Sequence, residues 1–298
     1  MKKRCVMGFT LFSMFFGAGN LIFPPFLGAE AGSSTLPAML GMILTAVVLP
    51  VLAVMSVAKH DGLKNLAGSI HPAFAVIYAV LIHLLIGPFI AIPRTASTSF
   101  EMAVVPFLAD GVSGRMLLFM RCGYSFMFFA IALFAARKPT SLKDLLGKIM
   151  TPLLLILNAV IFVGVIVKFP AVYAQADANY RGHALNQGFV AGYQTMDILA
   201  AFNFGAVIAM NIEDFGVKNR KNVAKETILA GISAGILLGI VYSATAYIGV
   251  LCGSHIENVE NGTQILTYAV YECFGMYGKV LIGIIFFIAC FNVCVGLL

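Results

Sequence analysis

Charge is scarce in this chain. Asp, Glu, Lys and Arg make up 11% of its 298 residues, against about 25% in a soluble domain. Residues of hydrophobic type make up 60%. No fold can cover so apolar a chain with polar surface. A water-soluble globule is therefore excluded, and lipid must be the solvent for much of the molecule. Length is then counted in spans, each needing roughly 20 apolar residues.

Other signatures are missing too. The six cysteines, Cys5, Cys122, Cys252, Cys273, Cys290 and Cys294, form no CxxC pair. Cys290 and Cys294 read as small core residues. Cys252 and Cys273 flank one loop and read as free thiols rather than a disulfide. His60, His71, His83, His183 and His255 lack metal-ligand spacing, so no cofactor is expected, and His83 reads as a hydrogen-bonded packing residue. No HExxH helix, Ser–His couple or intramembrane protease pair is present, which leaves a membrane enzyme only Asp197 and Glu101 as acids. No short hydrophobic core with a cleavage site opens the chain. The net charge is +6, yet no nucleic-acid motif accompanies it.

What is present is a series of long apolar runs. Eight stretches, 5–27, 34–58, 73–105, 116–136, 149–167, 188–211, 227–252 and 280–298, predict an all-α polytopic membrane protein of about eight transmembrane helices. Pro88 and Pro93 predict a kink in the third. Lys and Arg cluster at 2–4, 59–64, 137–148 and 218–225, thirteen in all, against Arg115, Lys168, Arg181 and Lys279 on the other side. Basic residues are poorly translocated, so the N-terminus is expected in the cytoplasm. The same asymmetry explains the basic charge. Residues 59–69 are expected to form a short interfacial helix inside. The outer segment 253–279, with Glu257, Glu260 and Glu272, is expected to carry a surface helix over 264–273. Its Asn261-Gly262-Thr263 sequon reads as a chance match. Gly231, Gly235 and Gly239 form two GxxxG frames suited to close helix packing.

Two stretches contain sequence that a continuous helix would not choose. The first is Gly17-Ala18-Gly19-Asn20-Leu21-Ile22-Phe23-Pro24-Pro25. Glycine is a poor helix residue, and proline removes a donor and clashes with the preceding turn. A break in mid-membrane is expected there, because unwound backbone at that depth must line a cavity or be buried in protein. The second runs from Gly192 to Gly205 and holds Thr195, Asp197 and Asn203. An ionisable residue inside a span is a functional candidate. The alternative is that the helix starts later and Asp197 sits at the outer surface. These two spans are five apart, as in carriers built from two inverted five-helix repeats. Half-helix N-termini attract a carboxylate, and half-helix C-termini and freed carbonyls face cations. An amino-acid zwitterion with a small cation fits that field. A hard cation needs oxygen ligands, which Asn20, Thr195 and backbone carbonyls supply.

In the third stretch Arg94 and Glu101 lie seven apart on one helix face. Either they form an intramembrane network or gate, or Glu101 reaches the outer interface while Arg94 packs on carbonyls. Arg121 is expected to snorkel outward.

Phe16-Gly17-Ala18-Gly19-Asn20-Leu21-Ile22-Phe23-Pro24-Pro25 resembles the first helix of the bacterial branched-chain amino acid:cation symporters, the BrnQ-type (LIVCS) carriers. Ile92-Pro93-Arg94-Thr95-Ala96 and Gly192-Tyr193-Gln194-Thr195-Met196-Asp197 with Leu199-Ala200-Ala201 resemble the same family, in the same order. The resemblance covers essentially the whole chain. It implies a LeuT-like 5+5 inverted-repeat fold, with 1–168 as the first repeat and 188–298 as three helices of the second. It implies Na+-coupled uptake of leucine, isoleucine and valine across a bacterial inner membrane by alternating access; the residues themselves do not separate Na+ from H+ as the coupling ion.

On that resemblance Gly17, Gly19, Asn20, Thr195, Ala201, Phe202, Asn203 and Phe204 would bind substrate. Residues 201–205 would be the unwound part of helix six, with Phe202 or Phe204 walling the side-chain pocket. Ser13, Phe16, Asn20, Thr195, Ala289 and Asn292 would bind the cation. Arg94, Glu101 and Asp197 would form a gate or network. One departure concerns the eighth span, where Asn292 and Val293 stand in place of two threonines. Val293 offers no oxygen, which places a second sodium site in question. A further expectation is that the chain stops before its fold is complete. On that reading the 298-residue polypeptide alone is a non-transporting remnant, and sodium-dependent leucine uptake by it would overturn the expectation.

Overall fold

The computed structural model describes residues 3–60, 62–108, 111–137, 145–256 and 259–298. Lys2, Lys138, Lys143 and Glu257, used above for topology, lie outside them. Among the described residues every regular element is helical. The α-helices are α1 (Lys3–Phe15), α2 (Ala18–Ala31), α3 (Thr35–Ile43), α4 (Leu49–His60), α5 (Leu63–Gly68), α6 (Pro72–Leu84), α7 (Ala91–Ala103), α8 (Gly114–Ala136), α9 (Thr151–Lys168), α10 (Ala184–Tyr193), α11 (Asp197–Asp214), α12 (Arg220–Gly253), α13 (Gly262–Phe274) and α14 (Met276–Leu297).

Six helical runs are long and apolar enough to cross a membrane, and the bent pair α10–α11 makes a seventh if counted as one span. The chain is a multi-pass membrane protein. The count differs from the eight hydropathic stretches for two local reasons. Cys5–Phe15 is too short to span alone. Ala18–His60 forms one run of 43 residues, about twice the length a bilayer requires. That run is interrupted at Gly32, whose φ of +46° is left-handed, a region glycine enters without steric penalty.

The core is built around α1, α2, α12 and α14. α2 lies along α12, α1 packs against both α12 and α14, and α11 lies along α4. The α2–α12 contact depends on small residues. A Cβ on Gly28 would collide with the Ala246 carbonyl, and one on Gly249 with the Pro25 carbonyl. Apolar tails solvate a leucine as well as another helix does, so close backbone approach is what holds such a pair together. Pro24 and Pro25 lie inside α2, and the helix continues through both.

Gly231 and Gly235 face α4, where a Cβ on Gly235 would lie 2.7 Å from Val51. Gly239 faces open space, so the second GxxxG frame is only half used. The short helix α5 and the helix α13 occupy the stretches expected to carry helices between spans. Asn261 is the N-cap of α13: its Oδ1 accepts from the Gln264 N–H at 3.1 Å. That role gives the sequon asparagine a structural purpose. All six cysteines are free thiols.

Candidate functional site

Three helix interruptions meet at one place. The first lies between α1 and α2, where Gly17 is extended at φ −117° and ψ −163°. Its N–H donates to Asn20 Oδ1 at 3.2 Å, so the Asn20 side chain reaches back to cap the turn. A Cβ on Gly17 would lie 2.6 Å from Val293 Cγ2, which forbids any larger residue. The break is two residues long, shorter than the expected 17–20, and Gly19 and Asn20 already belong to the first turn of α2.

The second interruption joins α10 to α11 with a bend of 46°. Met196 sits there at φ +64°, the only non-glycine residue with positive φ among those described. This corrects the expected position: residues 201–205 lie within continuous α11, and the unwinding falls at 194–196. Asp197 is the first residue of α11 and is 4% exposed, so it is not at the outer surface.

The third interruption is a π-turn at Leu85–Phe89 between α6 and α7, where Gly87 leaves helical geometry at ψ −110°. Pro88 lies in this turn, as its kink predicts. Pro93 falls in the first turn of α7, where a missing N–H costs little.

A cavity of about 310 Å³ lies between these breaks. Gly17, Gly19, Asn20, Thr195, Asp197 and Phe204 line it, as do Arg94 and Val293. Most of the wall is apolar, with Met14, Phe15, Ile86, Ile198 and Leu199 among the contributors. Asp197 and Arg94 are the only charged residues among its described lining residues, and they interact electrostatically. The Arg94 guanidinium also stacks over the Phe23 ring, 5.4 Å from its centroid.

Two of these wall residues, Asn20 and Asp197, join Tyr242 behind them in a buried polar triad. Asn20 Nδ2 donates to Asp197 Oδ2 at 2.7 Å and also to the Tyr242 hydroxyl. The Tyr242 hydroxyl in turn donates to Asp197 Oδ2 at 2.9 Å. Three residues from α2, α11 and α12 thus close a ring of hydrogen bonds that fixes the carboxylate. A buried charge needs such partners.

The remaining expected residues separate. Ala201 is buried in the core, Phe202 packs edge-on to Tyr78 at 5.9 Å between ring centroids, and neither lines the cavity. Asn203 does not line it either. Ser13 and Asn292 are brought together between α1 and α14, with Asn292 Nδ2 donating to Ser13 Oγ at 2.7 Å. Asn292 Oδ1 is buried without a hydrogen-bond partner among the described residues. Ala289 is buried one turn before Asn292. Phe16 is fully buried at the first break, its N–H bonded to the Phe12 carbonyl.

Arg94 and Glu101 do not pair. Glu101 forms an ion pair with Arg121 of α8, and the two side chains are 43% and 40% exposed. Arg121 reaches across to α7, over the Phe100 ring.

Sequence reasoning missed Tyr242, because a tyrosine in an apolar helix carries no local signal of its partner. It also missed Leu85, Ile86 and Ile90 as wall residues, although the Gly87-Pro88 step marked their turn.

Comparison with known sequences gives the family. A profile of the branched-chain amino acid transport protein family matches residues 1–298. The branched-chain amino acid permease BrnQ of Bacillus subtilis (strain 168) is 34% identical over 295 residues, covering 98% of this chain and 66% of the relative. BraB of the same organism, also a branched-chain amino acid permease, is 36% identical over 298 residues, covering 100% of this chain and 66% of the relative. The branched-chain amino acid transport system 2 carrier protein of Pseudomonas aeruginosa is 38% identical over 293 residues, covering 98% and 66%. The chain thus spans just under two thirds of the length of these relatives. With three broken helices around one cavity and a family profile along its entire length, this chain belongs to the branched-chain amino acid transport protein family.

Proposed function

We propose that the cavity binds a branched-chain amino acid zwitterion, and that the chain carries the substrate site of a cation-coupled secondary carrier. One observation carries this reading. Two breaks about 180 residues apart in sequence meet at a single apolar cavity whose described lining includes one carboxylate and one guanidinium. The volume lies at the low end of ligand pockets, which suits a small solute.

The chemistry assigns each part of the substrate. The N-terminus of α2 and Arg94 offer N–H donors and positive potential to the carboxylate. Asp197 and the C-terminal end of α10 face the ammonium. Met14, Phe15, Ile86, Ile198, Leu199 and Phe204 wall an aliphatic side chain. An acidic or basic side chain would enter this wall without a partner, which is strongly unfavourable.

For the coupling ion, Asn292 Oδ1 supports a Na+ position beside Ser13. A buried acceptor with no donor is the kind of oxygen a hard cation takes. Asn20 and Thr195 offer further oxygens at the cavity. The relatives' permease and carrier names agree with this reading. We further read the paired breaks as the first helices of two inverted repeats in a LeuT-like fold. Gly32 is then the outer turn between spans one and two, and the N-terminus faces the cytoplasm. Alternating access would close the cavity to one side at a time.

The test is equilibrium binding of labelled leucine to the full chain in nanodiscs, with and without Na+ at fixed pH. Isoleucine and valine are expected to displace the label, and lysine and glutamate are not. Replacing Na+ by choline separates sodium from proton coupling. Displacement by lysine as effective as by isoleucine would remove the substrate assignment.

A further inference from the structure

An open seam runs between α4 and α12, away from the cavity. At the end that the charge distribution assigns to the cytoplasm, a depression of about 660 Å³ is lined by Lys59, His60, Asn65, Arg220, Lys221 and Lys225, among others. No Asp or Glu is among its described lining residues. Lys59, Lys221 and Lys225 are exposed. His60 Nδ1 bonds the Ser56 carbonyl at 2.9 Å, so the ring is held at the rim. The depression also sits at the N-terminus of α12, a helix of 34 residues, which adds positive potential.

One turn further along α12 the same seam becomes apolar. A groove of about 370 Å³ runs between Val48, Val51 and Leu52 on one side and Ile232, Ile236 and Gly239 on the other. Gly239 leaves its floor open, since nothing lies within 4 Å of a Cβ built there. Ile228 and Leu229 line the basic depression and lead directly into this groove. From Arg220 to Gly239 the seam is roughly 28 Å long at the helical rise, which matches an extended acyl chain within one leaflet and its headgroup.

We propose that this seam binds one anionic phospholipid, with its phosphate in the basic depression and an acyl chain in the groove. Charge complementarity selects the headgroup: basic pockets between helices on the cytoplasmic side favour anionic lipids. The continuous apolar groove selects a lipid over a free phosphate, because a soluble anion gains nothing from it. The two halves are carried by the same pair of helices, so lipid occupancy would also bridge α4 to α12.

The experiment measures lipid retained by the purified full chain after reconstitution in equal parts phosphatidylglycerol and phosphatidylcholine. Three proteins are compared: the unmodified chain, K221Q/K225Q and Gly239→Phe. The unmodified chain is expected to retain phosphatidylglycerol over phosphatidylcholine by about tenfold, and K221Q/K225Q to lose most of that preference. Gly239→Phe is expected to lower retention of both lipids by filling the groove. Equal retention of the two lipids by the unmodified chain would overturn the proposal. So would retention by both variants at the unmodified level. Competition by glycerol phosphate as effective as by the lipid would reassign the depression to a soluble anion and likewise overturn it. Leucine binding, read in parallel, is expected unchanged in K221Q/K225Q, so failure here and failure of the substrate assignment give different results.

Discussion

The side-chain amide of Asn20 donates to the carboxylate of Asp197 at 2.7 Å across 177 positions of sequence. This bond joins the first turn of α2 to the first turn of α11, and so holds the two helix breaks on one cavity. The same amide bonds Tyr242, which ties both breaks to the long helix α12.

Asp197→Asn removes the only carboxylate among the described residues of the cavity wall. A hydrogen bond to a charged group contributes about 1.5–3 kcal/mol, so leucine affinity is expected to fall by roughly 10- to 100-fold. Scintillation proximity binding measures this. An unchanged affinity would mean the ammonium lies elsewhere.

Tyr242→Phe leaves the cavity wall intact, because Tyr242 does not line it. Asn20 and Asp197 each lose a buried partner. The expected loss is about 1–3 kcal/mol of stability, read as a lower unfolding temperature in detergent. The wild-type temperature in this variant would show that the ring of bonds contributes nothing net.

Gly249→Val is expected to abolish a monodisperse folded species, since a Cβ there would collide with the Pro25 carbonyl. Gly239→Ala in the same helix meets open space and is expected to be tolerated. Size-exclusion profiles of the two variants check the contrast. Matching profiles would contradict close α2–α12 packing.

Glu101→Gln breaks a pair whose side chains are 43% and 40% exposed. Pairs this open contribute about 0–1 kcal/mol, so neither the unfolding temperature nor leucine binding is expected to move appreciably. Arg94→Ala, by contrast, removes the one cation among the described residues of the cavity wall and is expected to weaken binding at least tenfold. A gate built on Glu101 would reverse this order.

Asn292→Leu replaces the unpartnered oxygen with an apolar side chain of similar size. The expected outcome is leucine binding that no longer strengthens with Na+. Sodium titrations at constant ionic strength measure it, and a retained sodium response would place the ion away from Ser13 and Asn292.

Much of this was legible in residues alone. Glycine next to asparagine at 17–20, and Asp197 inside an apolar run, marked both breaks, because backbone irregularity and charge are expensive in lipid wherever they occur. Pro88 marked the third. The exact points were less legible. Residues 201–205 suggested unwinding, yet Met196 takes the left-handed conformation and α11 runs unbroken through them. Arg94 and Glu101 share a helix face, but facing residues on one helix need not be partners. Arg121, on the neighbouring α8, reaches Glu101 first.

Sequence by itself determined that this is a chain of apolar helices, which family it belongs to, and which of its spans are interrupted. Those properties follow from local composition and from the backbone's need for hydrogen bonds in a medium that offers none. Only the tertiary structure decided that Tyr242 completes the Asn20–Asp197 ring, that Asn292 meets Ser13, and that Phe202 faces Tyr78 instead of the cavity. Each of these depends on how helices far apart in sequence are rotated about their axes, and that rotation is set by the packing of all the helices at once.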